Sequence, residues 1–348
     1  MKKICTVVGA RPQFIKLAMV SRILRKKFRE ILIHTGQHYD YNMSDVFFDE
    51  MDIPRPDYNL GISGGTHGQM TGQMLIKIEE VLLRERPEVL LVFGDTNSTA
   101  AAALAAIKLN IPICHVEAGA RLGSLSNPEE VNRIVTDHVS SLHLVCTASG
   151  VEFLKREGFS ESIRLVGDPM YDAFCYYSTH FEHLDLEPKD FYYMTCHRQE
   201  NTAQDELLNQ ILCAMNSLDA PTIYPVHPRN RDRAARLCRQ HHYENIILKE
   251  PVGYKTSIAL VKGAKKIVTD SGGLQREAFF AQKPCVTVFD YAAWPETMVN
   301  CCNQLAKPDC EEILSKLRTS VQFDPAYQPF GDGHSAEKIV KEIDTFWG

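Results

Sequence analysis

The chain has 348 residues, more than one hydrophobic core usually sustains, so two domains are predicted. A hydrophobic fraction of 44% with 24% charged residues excludes a disordered protein. Thirty-eight basic against 44 acidic residues give −6, which argues against a protein whose main task is holding nucleic acid. No apolar run reaches the roughly 18 residues of a membrane span. The N-terminal run is broken by Gly9 and Pro12 and lacks the form of a signal peptide. A cytoplasmic location with no membrane partner is therefore expected.

Short β-rich apolar runs alternate with longer segments of helical period. In chain order the pattern predicts a strand over 4–8, a helix over 14–28, a strand over 31–35 and a helix over 69–84. Strands follow over 89–93 and 113–116, with helices over 98–109 and 129–139, then strands over 142–146 and 163–166. The pattern restarts with strands over 191–195, 222–225, 246–248, 266–269 and 285–288. Strands separated by helices imply βαβ units and parallel sheets. The expected fold is α/β, two doubly wound Rossmann-like domains with a cleft between them, the seam lying near Gly167-Asp168-Pro169. Ligands in such sheets sit beyond the carboxyl ends of the strands.

Eleven cysteines raise the question of disulfides or metal. Cys5, Cys114, Cys146, Cys196 and Cys285 each fall in an apolar, strand-like run, and no C-x-x-C pair occurs. Buried reduced thiols are the expectation. No zinc site is expected among the 13 histidines.

Chemistry-bearing residues collect at the predicted strand ends. Gly9-Ala10-Arg11-Pro12 opens a helix carrying Lys16, a turn that can hold an anion or serve as a plain βα connection. Asp270-Ser271-Gly272-Gly273 leads straight into another helix. Its glycines let a phosphate approach backbone N–H groups, and Glu277 lies further in, within reach of a ribose hydroxyl. The ordinary alternative is a capped turn with a surface glutamate. Asp95, Glu117 and Glu129 each follow a first-half strand or open a helix, where acidic residues also act as caps. Together they can supply a general acid and base. His227 and the pair His197-Arg198 follow second-half strands as packing residues or as donors to phosphate or hydroxyl. Neither G-x-G-x-x-G nor the P-loop pattern is present, which disfavours an NAD oxidoreductase.

Gly9-Ala10-Arg11-Pro12 with Lys16, Thr35-Gly36-Gln37-His38, Gly94-Asp95-Thr96, Glu117-Ala118-Gly119-Ala120-Arg121, Pro128-Glu129-Glu130 with Asn132-Arg133, and Asp270-Ser271-Gly272-Gly273 occur in this order. The set resembles the UDP-N-acetylglucosamine 2-epimerase family over nearly the whole chain. That resemblance implies a glycosyltransferase-B-like fold with residues 1–168 as the acid/base domain and 169–334 as the UDP domain. Residues 335–348 would form a helix crossing back to the first domain. It further implies a non-hydrolysing epimerase that inverts C2 of a UDP-2-acetamido sugar by eliminating and re-adding UDP, with no cofactor and no metal, as a homodimer. Asp95, Glu117 and Glu129 match the family's acid/base positions, with His227 beside them. Arg11, His227 and Ser271 would contact the diphosphate and Glu277 the ribose. Lys16, Arg133, His197, Arg198, Gly272 and Gly273 complete the expected substrate-binding set.

There are departures from the family pattern. Ala120 stands where leucine is common, and Trp294 where an arginine is often found. The stretch 123–128 is about two residues short and lacks a tryptophan. Pro251-Val252-Gly253-Tyr254 and Thr66-His67-Gly68-Gln69-Met70 resemble a branch acting on a 2,3-diacetamido uronic acid sugar. A hydrolysing epimerase and a glycosyltransferase are the other readings.

Overall fold

The computed structural model describes residues 1–37, 45–180, 184 and 186–347. The chain divides into two compact units, one of Met1–Cys175 with Gln328–Gly348 and the other of Tyr176–Tyr327. The first division falls inside the helix Pro169–His180 rather than at its start, where the sequence pattern places the seam. The second falls before the C-terminal helix, because Phe330 and Ser335 pack on Gly167. A Cβ at Gly167, where φ is +89°, would meet Ser335 Oγ at 2.6 Å and Phe330 O at 3.0 Å.

The first unit holds seven strands: β1 (Lys3–Val8), β2 (Arg29–His34), β3 (Tyr58–Asn59), β4 (Val89–Phe93), β5 (Ile113–Ala118), β6 (Leu142–Val145) and β7 (Ile163–Leu165). They form one parallel sheet in the order β3-β2-β1-β4-β5-β6-β7. The second unit holds six: β8 (Tyr192–Thr195), β9 (Thr222–Pro225), β10 (Ile246–Lys249), β11 (Ile267–Thr269), β12 (Cys285–Val288) and β13 (Asn303–Ala306). Their order is β10-β9-β8-β11-β12-β13, again parallel. The direction of winding reverses between β1 and β4 in one sheet and between β8 and β11 in the other. Such switch points leave a crevice at the strands' carboxyl ends.

Helices cover both faces, so central strands are apolar on both sides; Val89-Leu90-Leu91-Val92-Phe93 is buried throughout. The alanine-rich helix Asn97–Lys108 presents small side chains that let it lie close against helix His67–Glu85. Thr66 and Thr96 cap these two helices by accepting the amides of Gln69 and Thr99. Buried aliphatic residues such as Leu90, Ile78 and Val92 form the first core, and Met194, Leu212, Tyr224 and Val268 belong to the second. Truncating one such side chain to alanine costs about 2–5 kcal/mol. Cys5, Cys114, Cys146, Cys196 and Cys285 are buried.

Two strands escape the sequence pattern for physical reasons. β3 is only two residues at a sheet edge, and β13 reads Asn-Gln-Leu-Ala, too polar to signal a strand. The first helix begins at Arg11, three residues before the expected Phe14, because Pro12 is tolerated in an opening turn whose N–H groups lack helical partners. β5 runs to Ala118, so Glu117 lies within the strand instead of following it. No helix among the described residues is long and apolar enough to cross a membrane.

Candidate functional site

In the first unit the candidate residues gather at the carboxyl ends of β1, β4 and β5. Gly9 ends the β1 turn in a space that admits no side chain: a Cβ would meet Ser98 Oγ and Thr35 Oγ1 at 2.2 Å. Gln13 fastens this turn to the end of β4. Its Oε1 accepts the amides of Gly9 and Ala10 at 2.7 and 3.0 Å, while its Nε2 donates to Phe93 O at 2.7 Å. Arg11 is half-buried, its guanidinium 4.8 Å from the centre of the Phe47 ring. Lys16, one turn on, is buried and forms an ion pair with Glu117. Gly94 borders that pair, with Lys16 Nζ and Glu117 Oε1 3.4 and 3.5 Å from where its Cβ would stand.

Asp95 pairs with Arg133, and its carbonyl accepts from Asn132 Nδ2 at 2.9 Å. Burial opposes the charge of the Arg133 guanidinium. Asp95, Glu129, Glu117 and Glu130, in falling order, outweigh it and hold its pKa above the ordinary value. Asp95 is thus ion-paired with this buried arginine, and Glu129 lies one turn before it on the same helix. Glu130 is committed to structure, accepting the amides of Leu122 and Gly123 at 2.8 and 3.0 Å. Glu129 opens the helix Pro128–Val139, its amide donating to Asn127 Oδ1 at 2.8 Å. Glu117, Cys146 and Asp168 place one ligand-type atom each within 4.8 Å of one another, all buried.

Glu117 itself occupies the left-handed region at φ +71°, where the β5–β6 register shifts between Val116 and Ala118. A non-glycine residue held there costs of order 1–3 kcal/mol and persists only if its surroundings over-determine it. A bulge of this kind re-aims a side chain.

In the second unit the candidates gather around Asp270, at the end of β11. Its Oδ2 accepts the amides of His197 and Arg198 at 2.9 and 2.8 Å, and Asn201 Nδ2 at 3.3 Å. His197 Nδ1 lies 2.9 Å from its Oδ1. Burial alone would raise the Asp270 carboxyl. His197 and the two amides overcome that and hold it well below the carboxylate range. Arg198 Nε donates to Asp270 O at 2.8 Å, and its guanidinium stacks 4.4 Å from the Phe289 ring. Arg229 donates to His197 O, linking this turn to the one after β9 that carries His227. Ser271 caps the helix Gly272–Phe280 by accepting the Leu274 amide at 3.4 Å, so the amides of Gly272 and Gly273 open that helix. A Cβ on Gly272 would touch Trp294 Nε1 at 3.7 Å. Glu277 is buried within the same helix.

Within each unit the structure thus brings expected residues together: Lys16 with Glu117, Asp95 with Arg133 beside Glu129, and His197 with Arg198 and Ser271 around Asp270. His38 lies outside the described residues. Gln13 and Asp270 fasten these turns, as does Asp137, which binds His115, Gly119 and Arg121. Sequence reasoning assigned them no role, since each acts through partners far along the chain.

The chain matches the family model described as UDP-N-acetylglucosamine 2-epimerase over residues 22–344. It is 46% identical to a Methanococcus maripaludis UDP-N-acetylglucosamine 2-epimerase homolog, covering 98% of this chain and 99% of that one. It is 43% identical, at the same coverage, to the UDP-2,3-diacetamido-2,3-dideoxy-D-glucuronate 2-epimerase of Pseudomonas aeruginosa. Among solved structures it resembles Methanocaldococcus jannaschii UDP-GlcNAc 2-epimerase in complex with UDP-GlcNAc and UDP. There the TM-score is 0.89 at 36% identity, with 99% of each chain covered.

Proposed function

Because this chain belongs to the UDP-N-acetylglucosamine 2-epimerase family, we propose that it inverts C2 of a UDP-2-acetamido sugar, UDP-GlcNAc to UDP-ManNAc, without releasing free sugar. The hydrogen on C2 of a hexosamine has no adjacent carbonyl within the ring to acidify it. Direct removal and return would face a very high barrier. If the C1–O bond to UDP breaks as a base takes that proton, the electron pair departs on the diphosphate and an unsaturated glycal remains. UDP then re-forms the bond to C1 while an acid delivers a proton to the opposite face of C2. No net oxidant or water is consumed.

The reaction needs two proton-handling groups and strong stabilisation of free UDP. The observation that carries the proposal is that Glu117 is paired with buried Lys16 and Asp95 with buried Arg133, with Glu129 one helical turn before that arginine. Carboxylates so placed are suited to the acid/base task, worth about 10²–10⁴-fold in rate. Lys16 pairs with Glu117 and Arg133 with Asp95, which orients those two carboxylates before substrate arrives. The leaving diphosphate is assigned to Arg11, His227, His197, Arg198 and the helix start at Ser271, Gly272 and Gly273, where preorganised donors contribute most. Glu277 is assigned to the ribose.

The 43% identity to a diacetamido-glucuronate 2-epimerase favours a second reading, the same chemistry on that 3-acetamido uronic sugar. Incubation with each nucleotide sugar in D₂O, followed by NMR, separates the cases. Deuterium at C2 of a recovered UDP-sugar supports the proposal and names the substrate. Free sugar with UDP means hydrolysis, and no deuterium at C2 means a transferase or a binding protein. We further propose a homodimer, which sedimentation would test.

A further inference from the structure

Glu117 is held in a strained backbone, and something must hold it. Asp137, wholly buried and contributed by the helix Pro128–Val139, meets the chain on both sides of the bulge. Its Oδ1 lies 2.6 Å from His115 Nδ1, two residues before Glu117. Its Oδ2 accepts the Gly119 amide at 3.1 Å, two residues after, and pairs with Arg121 Nη1 at 2.7 Å, four residues after. His115 carries the link onward. Its other ring nitrogen lies 2.7 Å from the carbonyl of Gly94, the residue before Asp95. His143 Nε2 lies 2.8 Å from the Asp137 carbonyl, and Arg121 is gripped on its far side by Glu157 at 2.7 Å through both Nε and Nη2.

We infer that Asp137 is a positioning residue: it ties down the chain either side of Glu117 and, through His115, the turn that carries Asp95. It fixes two of the proposed acid/base carboxylates at once without facing the substrate. This rests on the epimerase reading for its kinetic consequence, not for its geometry. Charge-assisted hydrogen bonds in a buried site are strong and directional. The burial cost of this carboxylate is offset by His115 and Arg121, which hold its pKa down at about 2. A group so paired is fully ionised at neutral pH, so it accepts from three partners at once. An asparagine in its place would accept through one oxygen and turn an NH₂ toward either His115 or Arg121. Released from that clamp, Glu117 would relax out of the left-handed region and carry its carboxylate away from the reacting carbon. A displacement of about 1 Å costs on the order of 10²-fold in rate.

The test is Asp137→Asn, assayed for solvent deuterium entering C2 of the UDP-sugar that the wild type turns over. The expected result is a fall in kcat of about 30–100-fold, with KM and UDP affinity by calorimetry within about threefold of wild type. A crystal structure of the variant should show Glu117 φ leaving the positive region. A folded variant with kcat within about twofold of wild type, or with Glu117 still at positive φ, overturns the inference. Should that variant not fold, His115→Gln breaks the same clamp at its link to Gly94, and the same outcomes decide. Independently of any variant, the Gly119 amide of the wild type should exchange with D₂O as slowly as core strand amides. Exchange at loop rates overturns the inference too. A wild type inactive on every UDP-sugar would defeat the functional reading alone, leaving the exchange and φ measurements to judge the clamp.

Discussion

The two units share a sheet design and put opposite chemistry on it. At the carboxyl ends of β4 and β5 the first unit displays carboxylates that cations hold in place: Glu117 on Lys16, Asp95 on Arg133. The second unit, at the ends of β8 and β11, displays cations and amides held by a carboxylate, His197 and Arg198 on Asp270. Each has a buried aspartate as hub, Asp137 in one and Asp270 in the other, with its pKa pulled down by a histidine against the opposing effect of burial. The strand-end position supplies the crevice, and we propose that the sign of the groups placed there decides whether each unit handles protons or anions.

If this division is real, the largest effect belongs to Glu117. Glu117→Gln should lower kcat at least 10²-fold with UDP binding kept, as should Asp95→Asn. Unchanged turnover in either variant would remove that residue from the acid/base set. Next comes the hub of the second unit. Asp270→Asn should weaken UDP binding about 30-fold in calorimetry, with kcat at saturation falling far less. A pure kcat defect would break the comparison from the other side. Arg11 is the cross-over case, a cation on the carboxylate-bearing unit assigned to the diphosphate. Arg11→Ala should raise the Kd for UDP about tenfold, and an unaltered Kd would make the division stricter than proposed.

A subtler effect appears in acid. Both hub aspartates are depressed below their ordinary value of 3.8, Asp137 to about 2. Stability from such a group is complete above the unfolded value and lost as pH falls through the folded one. Melting temperature should therefore drop between about pH 4 and pH 2. Asp137→Asn should flatten that limb while lowering the plateau. An acid limb identical to wild type would show that the pair contributes nothing there. The smallest effect is expected at Lys27–Asp344, an exposed pair at 2.7 Å that joins the turn after the first helix to the C-terminal helix Ser335–Trp347. Asp344→Asn should change stability by less than about 1 kcal/mol in denaturant titration, since that helix is held by Ile339, Val340 and Ile343.

Much of this molecule is legible along the chain. Buried parallel strands must be continuous apolar runs, so Val89–Phe93 and Cys285–Val288 announce themselves with their bounds. Glycines that admit no side chain, such as Gly9, mark where a helix start approaches its neighbours. The acidic residues near those strand ends could be listed because the fold class says where ligands lie. What local pattern could not reveal was the edge strand β3, the polar strand β13, or the bulge that takes Glu117 into the left-handed region.

Residue type and spacing by themselves determined two α/β units, a row of acidic residues on one and of histidine, arginine and glycine on the other, and the family they spell. Only tertiary structure decided which of these charges meet. Lys16 and Glu117 are separated by 101 positions in sequence (117 − 16) and share a buried ion pair. Asp270 reaches back to the amides of residues that precede it by more than seventy positions. The physical reason is that pairing energy depends on distance in space and on exclusion of water. Both are set by how parallel strands bring remote turns to one edge, and neither is written in any local stretch of chain.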